Sequence, residues 1–231
     1  MVFNMKRQIF SKDREFANCT SESIDINRAK ELIDEYDLIS FDIFDTLILR
    51  SVDKPTDVFI RIEEEVGVKG FAKARIQAER KARIVHRGNE DITLDQIYEE
   101  IDDSFSMYKS TELNAEEKYT YANEYIKQLY DYAHLIGKKT VICSDMYLPE
   151  LFLAELLQSK GFEGGDKVFV SSEFLRSKAT GRLFRFLSSD TGIVAKNILH
   201  IGDNIKSDGN VVKQGMGFIH LMGNRMAYIK K

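Results

Sequence analysis

The sequence predicts an α/β protein whose parallel-sheet core is interrupted, just after its first strand, by a helical insertion. Three observations carry that expectation. Five short apolar runs, rich in β-branched and aromatic residues, read as buried strands: residues 38–43, 139–143, 167–170, 197–201 and 217–221. The last four are separated by helix-patterned stretches such as 149–160 and 182–188, and strands alternating with helices imply crossovers and a parallel sheet. Between the first run and the second lie about 95 residues, far more than an ordinary connection.

That gap is helical by pattern. Residues 56–67, 71–86, 93–103 and 116–136 each carry apolar residues at helical spacing. Thr93-Leu94-Asp95-Gln96 reads as a capping box, in which Thr93 and Gln96 satisfy amide groups at a helix start. The expected organisation is a core built from residues 1–52 and 137–231 and a helical cap formed by residues 53–136. Neither an internal repeat nor a linker rich in Pro, Gly or Ser breaks this plan.

Composition narrows the function. The 231 residues are 43% hydrophobic and 30% charged, a globular balance that argues against disorder. With 33 basic and 37 acidic residues, the formal net charge of −4 lacks the basic surplus of a duplex binder, so no nucleic-acid partner is expected. No apolar stretch approaches the roughly 18 residues that span a bilayer, so no membrane partner is expected either. The first residues lack the apolar core of a signal peptide. Cys19 and Cys143 cannot form a disulfide framework and fit a reducing compartment. The expected location is cytoplasmic.

Chemistry-bearing residues gather at the ends of the expected strands. The first strand runs into Phe41-Asp42-Ile43-Phe44-Asp45-Thr46-Leu47. In a parallel sheet, ligands sit beyond the carboxyl ends of strands, which makes Asp42 a candidate; the alternative is that Asp42 or Asp45 caps the turn. The second strand ends at Cys143-Ser144, and a serine there is commonly a turn residue. Lys178 stands in a segment that opens a helix, where a lone lysine is usually solvated. The fourth strand ends in Gly202-Asp203, with Asp208 five residues later. Two carboxylates at a strand end suit a hard divalent cation, or else cap the last helix.

Taken together, in this order and at these strand ends, the motifs resemble the haloacid dehalogenase superfamily of hydrolases and phosphotransferases. The resemblance runs from about Leu38 to the end of the chain. It rests on Asp42 with Thr46 four residues later, Ser144, Lys178, and the Gly-Asp…Asp of Asp203 and Asp208. It implies a Rossmann-like parallel core with a helical cap. Asp42 is then the nucleophile that attacks a phosphoryl group, forming an aspartyl-phosphate that water later cleaves. Mg²⁺ and Lys178 supply charge compensation. Asp42, the Phe44 carbonyl and Asp203 are implied as magnesium ligands, while Asp208 orients a ligand or a metal water. Ser144 and the backbone around Asp45 and Thr46 are implied to hydrogen-bond phosphoryl oxygens.

One departure stands out. Family phosphatases place a second Asp two residues after the nucleophile as general acid and base, and here that position is Phe44. Asp45, one residue later, points elsewhere, although it remains a candidate for substrate contact; Asp145 and Tyr147 are weaker ones. The family's dehalogenases do carry an aromatic residue at that position, because halide leaves unprotonated, but they dispense with magnesium and lack the acidic fourth motif. The acidic pair outweighs Phe44, since carboxylates gathered beside Asp42 repel one another without a cation.

The phrases Ser40-Phe41-Asp42-Ile43-Phe44-Asp45-Thr46-Leu47-Ile48-Leu49-Arg50 and Ser144-Asp145-Met146-Tyr147-Leu148-Pro149 resemble one subgroup of predicted hydrolases. Its members often accompany glycosyltransferases in bacterial surface-polysaccharide synthesis. That implies a small phosphorylated substrate, with a sugar phosphate in view, and a glycosyltransferase as partner. In the expected cap, Arg75, Glu79 and Arg83 recur every four residues along one helical face. They form either a solvated ion-pair ladder or a set from which one arginine, Arg75 or Arg83, grips an anionic substrate. His86, His134, His200 and His220 show no metal-ligand spacing. The leading expectation is a Mg²⁺-dependent phosphohydrolase or phosphotransferase working through Asp42. The alternatives are a carbon–halogen hydrolase, resting on Phe44, and a non-catalytic module that binds a phosphorylated ligand or partner.

Overall fold

The strand that runs into Asp42 is the middle one of five parallel strands, and all four of its residues are buried. The computed structural model describes residues 19–230. Its strands are β1 (Thr20–Ile24), β2 (Leu38–Phe41), β3 (Ile48–Arg50), β4 (Thr120–Ala122), β5 (Lys139–Ser144), β6 (Lys167–Val170), β7 (Ile198–Gly202), β8 (Gly217–Met222) and β9 (Arg225–Lys230). Its helices are α1 (Ile26–Glu35), α2 (Asp57–Val66), α3 (Phe71–Val85), α4 (Leu94–Glu99), α5 (Lys109–Lys118), α6 (Glu124–Leu135), α7 (Glu150–Ser159), α8 (Ser171–Phe174), α9 (Arg182–Thr191) and α10 (Asn210–Lys213).

Seven strands form one sheet in the order β1-β9-β8-β7-β2-β5-β6. The five central and right-hand strands, β8 to β6 in that order, are parallel, as the alternating pattern predicts. From β2 the chain crosses to β5 and β6 on one side, then returns to β7 and β8 on the other. The carboxyl end of β2 is therefore the point where the winding reverses, which is where open α/β sheets hold their ligands. Two further strands escape the sequence pattern. β9 pairs antiparallel with β8, and β1 with β9. β1, Thr-Ser-Glu-Ser-Ile, buries only Ile24, so as an edge strand it carries no hydrophobic signal.

The insertion after β2 is helical as expected, with different boundaries. Residues 116–136 do not form one helix: α5 stops at Lys118, β4 pairs antiparallel with β3, and α6 follows from an Asn123 cap. The Asn123 side-chain amide donates to the Thr46 carbonyl, and the Asn123 N–H to that of Leu47, at 2.8 Å each. α6, placed by pattern in the cap, instead packs with α1 and β5; the Tyr130 ring lies 5.4 Å from that of Phe41. Its buried Ile126, Leu129, Tyr130 and Ala133 form the stripe that requires this. The Thr93–Gln96 capping box is present with both reciprocal bonds.

An ion pair holds the helices of the insertion from inside. Arg75 on α3 is fully buried and donates to both carboxylate oxygens of Glu112 on α5, at 2.7 and 2.8 Å. Tyr98 on α4 donates to the same carboxylate at 2.8 Å, and the guanidinium lies 4.8 Å from the ring centres of Phe59 and Tyr147. Removing one partner of such a pair leaves the other charge buried and unpaired, which costs about 3–5 kcal/mol. Glu112→Ala is expected to lower unfolding free energy by that order in urea titration; a loss under about 1 kcal/mol would show that the pair does not hold the helices together.

Candidate active site

Parallel register brings the sequence-derived residues together. Phe41 lies opposite Ile142 and Ile201, and the Asp42 N–H continues the ladder to the Ile201 carbonyl at 2.9 Å. Asp42 therefore emerges from β2 beside the end of β7, where Gly202 and Asp203 follow. Gly202 has a steric role: a Cβ there would fall 2.4 Å from an oxygen of Asp208. The Asp208 carboxylate packs on that bare backbone and accepts from the Asn204 N–H at 2.9 Å. Ser144, buried at the end of β5, completes the same rim.

Lys178 is buried inside the site rather than solvated. Its Nζ lies 2.5 Å from Asp42 Oδ1 and 2.6 Å from Asp208 Oδ1, all three groups being buried. Burial acts to lower the lysine, but Asp208 and Asp42 outweigh it and hold the ammonium charged. Burial pushes Asp42 up despite Lys178. Asp208 goes the other way: Lys178 and His200 overcome the effect of burial and hold it low. His200, whose spacing suggested no role, is buried with Nδ1 2.9 Å from Ser40 Oγ and Nε2 3.3 Å from Asp208 Oδ1.

The loop carrying Lys178 is tied from two sides. Asp145 accepts from the N–H groups of Lys178 and Ala179 at 2.7 and 3.3 Å. Glu90, from the insertion, accepts from the Ser177 N–H, the Thr180 hydroxyl and Arg182 at 2.7–2.9 Å. Next to it, Asp91 joins Arg83 of α3 to the Ser171 hydroxyl of α8. Neither acidic residue belonged to any motif; their signal is three-dimensional.

Asp42, Asp203 and Asp208 each offer one oxygen within 4.8 Å of the others. Burial, reinforced by Asp42 and Asp208, pushes the Asp203 carboxyl up to about 7. Crowded oxygen donors whose negative charge exceeds what Lys178 balances fit a hard divalent cation. Asp208 already faces Lys178, His200 and the Asn204 N–H, which suits it to a supporting place. Thr46 is buried, and its hydroxyl has no hydrogen-bond partner.

A cavity of about 360 Å³ lies between the sheet end and the insertion; Thr46 and Asp208, fully buried, stand behind its wall. Asp42, Phe44, Asp45, Ser144, Lys178 and Asp203 face it; Arg75 and Arg83 do not. The expectation that one of these two arginines grips substrate is corrected by their pairing. Arg75 is locked to Glu112 and 3.4 Å from Glu79, and Arg83 is shared between Glu79 and Asp91. The four-residue spacing is an ion-pair ladder, and its member at the cavity is Glu79. Asp45 sits at the mouth with a left-handed backbone, φ 57°, its side chain 56% exposed. Asp145, raised by burial to about 6, also lines the cavity.

The cavity arginine is Arg50, at the end of β3. Its guanidinium lies 4.0 Å from the centre of the Phe44 ring, 3.6 Å from Glu116 and 4.0 Å from Asp45. Burial pushes Glu116 up to about 7, against the opposing pull of Arg50. A carboxyl raised from its usual 4.5 costs stability once it must ionise inside the fold, so the cost grows as pH climbs from about 4.5 to 7 and is complete above. Glu116→Gln is therefore expected to gain on the wild type between pH 5 and pH 8, by at most about 3 kcal/mol in denaturant titrations. A stability difference that does not change with pH would contradict the raised carboxyl.

No family model matches the chain, and no curated protein is similar to it in sequence. Its fold is similar to solved structures of haloacid dehalogenase-type enzymes. A predicted phosphoglycolate phosphatase from Haemophilus somnus aligns with a TM-score of 0.55 at 14% identity, over 81% of this chain and 86% of its own. A candidate HAD-hydrolase, YfnB from Bacillus subtilis, bound to magnesium, aligns at 0.57 and 14%, over 80% and 87%. The L-2-haloacid dehalogenase of Xanthobacter autotrophicus aligns at 0.56 and 16%, over 80% and 77%. At these identities the likeness establishes the α/β fold that this group of hydrolases shares.

Proposed function

We propose that the protein is a Mg²⁺-dependent phosphohydrolase or phosphotransferase of the haloacid dehalogenase superfamily, acting through Asp42 on a small phosphorylated substrate. The observation that carries this reading is the Lys178 ammonium seated between Asp42 and Asp208, with Asp203 completing a three-carboxylate cluster in the same cavity. Asp42 attacks phosphorus in line with the leaving oxygen, and its carboxylate becomes an acyl phosphate. Lys178 balances charge on the nucleophile and on the phosphoryl oxygens. The Ser144 hydroxyl and the backbone around Asp45 and Thr46 hydrogen-bond those oxygens; Ser144 and Asp45 line the cavity. Asp42 and Asp203, with the Phe44 carbonyl, are the proposed holders of magnesium, which when bound neutralises the dianion approaching Asp42. Water then cleaves the acyl phosphate, or another acceptor takes the phosphoryl group.

Phe44 supports a second reading, carbon–halogen hydrolysis, in which the leaving halide needs no proton. The crowded acidic cluster supports the phosphoryl reading over it. Chloride release from a haloacid in the presence of a chelator would favour the second. The subgroup resemblance supports a sugar phosphate as substrate and a glycosyltransferase as partner. A cytoplasmic location goes with the same reading.

Asp42→Asn is expected to reduce magnesium-dependent hydrolysis of small phosphate esters and acyl phosphates by about 10³-fold or more; surviving activity would sink the mechanism. Magnesium should also raise the melting temperature, more at pH 8 than at pH 5.5, because Asp203 must lose its proton to bind. A shift of equal size in Asp203→Asn would exclude that ligand. Phe44→Asp, supplying the missing acid, is expected to favour alkyl over acyl phosphates, recovering part of a deficit of about 10²–10⁴. No relative gain in a folded, magnesium-binding variant would mean that another group, Asp45 or Asp145, already delivers the proton.

A further inference from the structure

Besides Lys178, the cationic side chain lining the cavity is Arg50, and nothing in the reaction outlined above uses it. Its side chain is 6% exposed, and its Nε has no hydrogen-bond partner. Its two carboxylate neighbours are loosely placed. Glu116 lies at 3.6 Å and Asp45 at 4.0 Å, against 2.7 and 2.8 Å for the closed Arg75–Glu112 pair. Glu116 is protonated in part at neutral pH, because burial raises it to about 7, and Asp45 is exposed to water. Arg50 thus keeps positive charge and donor capacity within the cavity. The Phe44 ring lies 4.0 Å from the guanidinium carbon and covers one side of it, and the flat fork that remains is suited to an oxyanion held by two parallel hydrogen bonds.

We infer that Arg50, steadied by Phe44, is a specificity residue that binds a second oxyanion of the substrate, a carboxylate or a phosphate, distinct from the phosphoryl group transferred. The inference rests on the phosphoryl reading above and narrows the substrate class to phosphate esters with a second negative group. It also gives Phe44 a task. The side chain that stands where the family's phosphatases hold an acid serves here as the platform for the anion-binding arginine.

Calorimetric titration of the wild-type protein in magnesium tests this with non-hydrolysable probes. ω-Phosphonocarboxylates and ω-diphosphonates with two to four methylenes between the acid groups are compared with alkylphosphonates of equal length. At the best-fitting length the second oxyanion is expected to tighten binding about tenfold or more, the scale of a charge-assisted hydrogen bond. The carboxylate and diphosphonate arms distinguish which oxyanion is preferred. In Arg50→Gln the ratio should fall to near one, and in Arg50→Lys, which keeps the charge without the fork, to an intermediate value. Equal binding of mono- and dianionic probes by the wild type, or a preference undiminished in both variants, overturns the inference while leaving the phosphoryl reading in place. If no probe binds, both fall.

Discussion

The site depends on one buried ammonium group. Lys178 sits 2.5 and 2.6 Å from two carboxylates that the parallel sheet forces together, Asp42 from the end of β2 and Asp208 from beyond β7. Without a cation, such a cluster would pay several kcal/mol in desolvation and mutual repulsion. Much of the surrounding structure keeps this arrangement in place. Gly202 leaves room for the Asp208 carboxylate, the Asn204 N–H donates to it, and Asp145 fixes the backbone from which Lys178 reaches inward. The charge of Asp203 is left over, and that surplus gives a divalent cation a reason to bind.

The insertion contributes to the site as well as roofing it. Glu90 and Asp91 reach the Lys178 loop and α8, and the Leu94 N–H donates to the Tyr147 carbonyl at 2.8 Å. A change in the insertion's seating would therefore reach the nucleophile's cation through a single loop. Its own interior is organised by the Arg75–Glu112 pair, while Arg83 is taken up by Glu79 and Asp91, so both arginines of α3 singled out by their spacing serve structure. The arginine left for a ligand comes from β3, a strand so short that its pairing with β4 depends on the insertion folding back.

The parallel core was legible because its strands are buried on both faces and read as unbroken apolar runs. Asp42, Ser144 and Asp203 were legible because a parallel sheet fixes what lies beyond each strand's carboxyl end, whereas Lys178, beyond a short helix, was legible only through the order of motifs in the family resemblance. β1 was not, since an edge strand of mostly exposed residues carries no apolar run. The break between α5 and α6 was hidden for a different reason. Residues 116–136 keep helical spacing throughout, and the pairing of β4 with β3, some 70 residues earlier in the chain, overrides it locally. Regular spacing likewise drew attention to Arg75 and Arg83, whereas the partners that occupy them include Glu112, 37 residues away, and Asp91, beyond the end of the helix and off its repeat. Arg50 and Glu90 become functional candidates only once tertiary structure shows what surrounds them: Arg50 lines the cavity, and Glu90 ties the Lys178 loop.

The most direct test of the central claim is acid quenching after brief exposure to a radiolabelled acyl phosphate with magnesium, followed by peptide mapping. With no acid–base residue at Phe44 to activate water, the covalent intermediate should persist long enough to be trapped. An acid-stable, hydroxylamine-labile label is expected on the peptide containing Asp42. Turnover without any label there, or a label on Ser144, would contradict it.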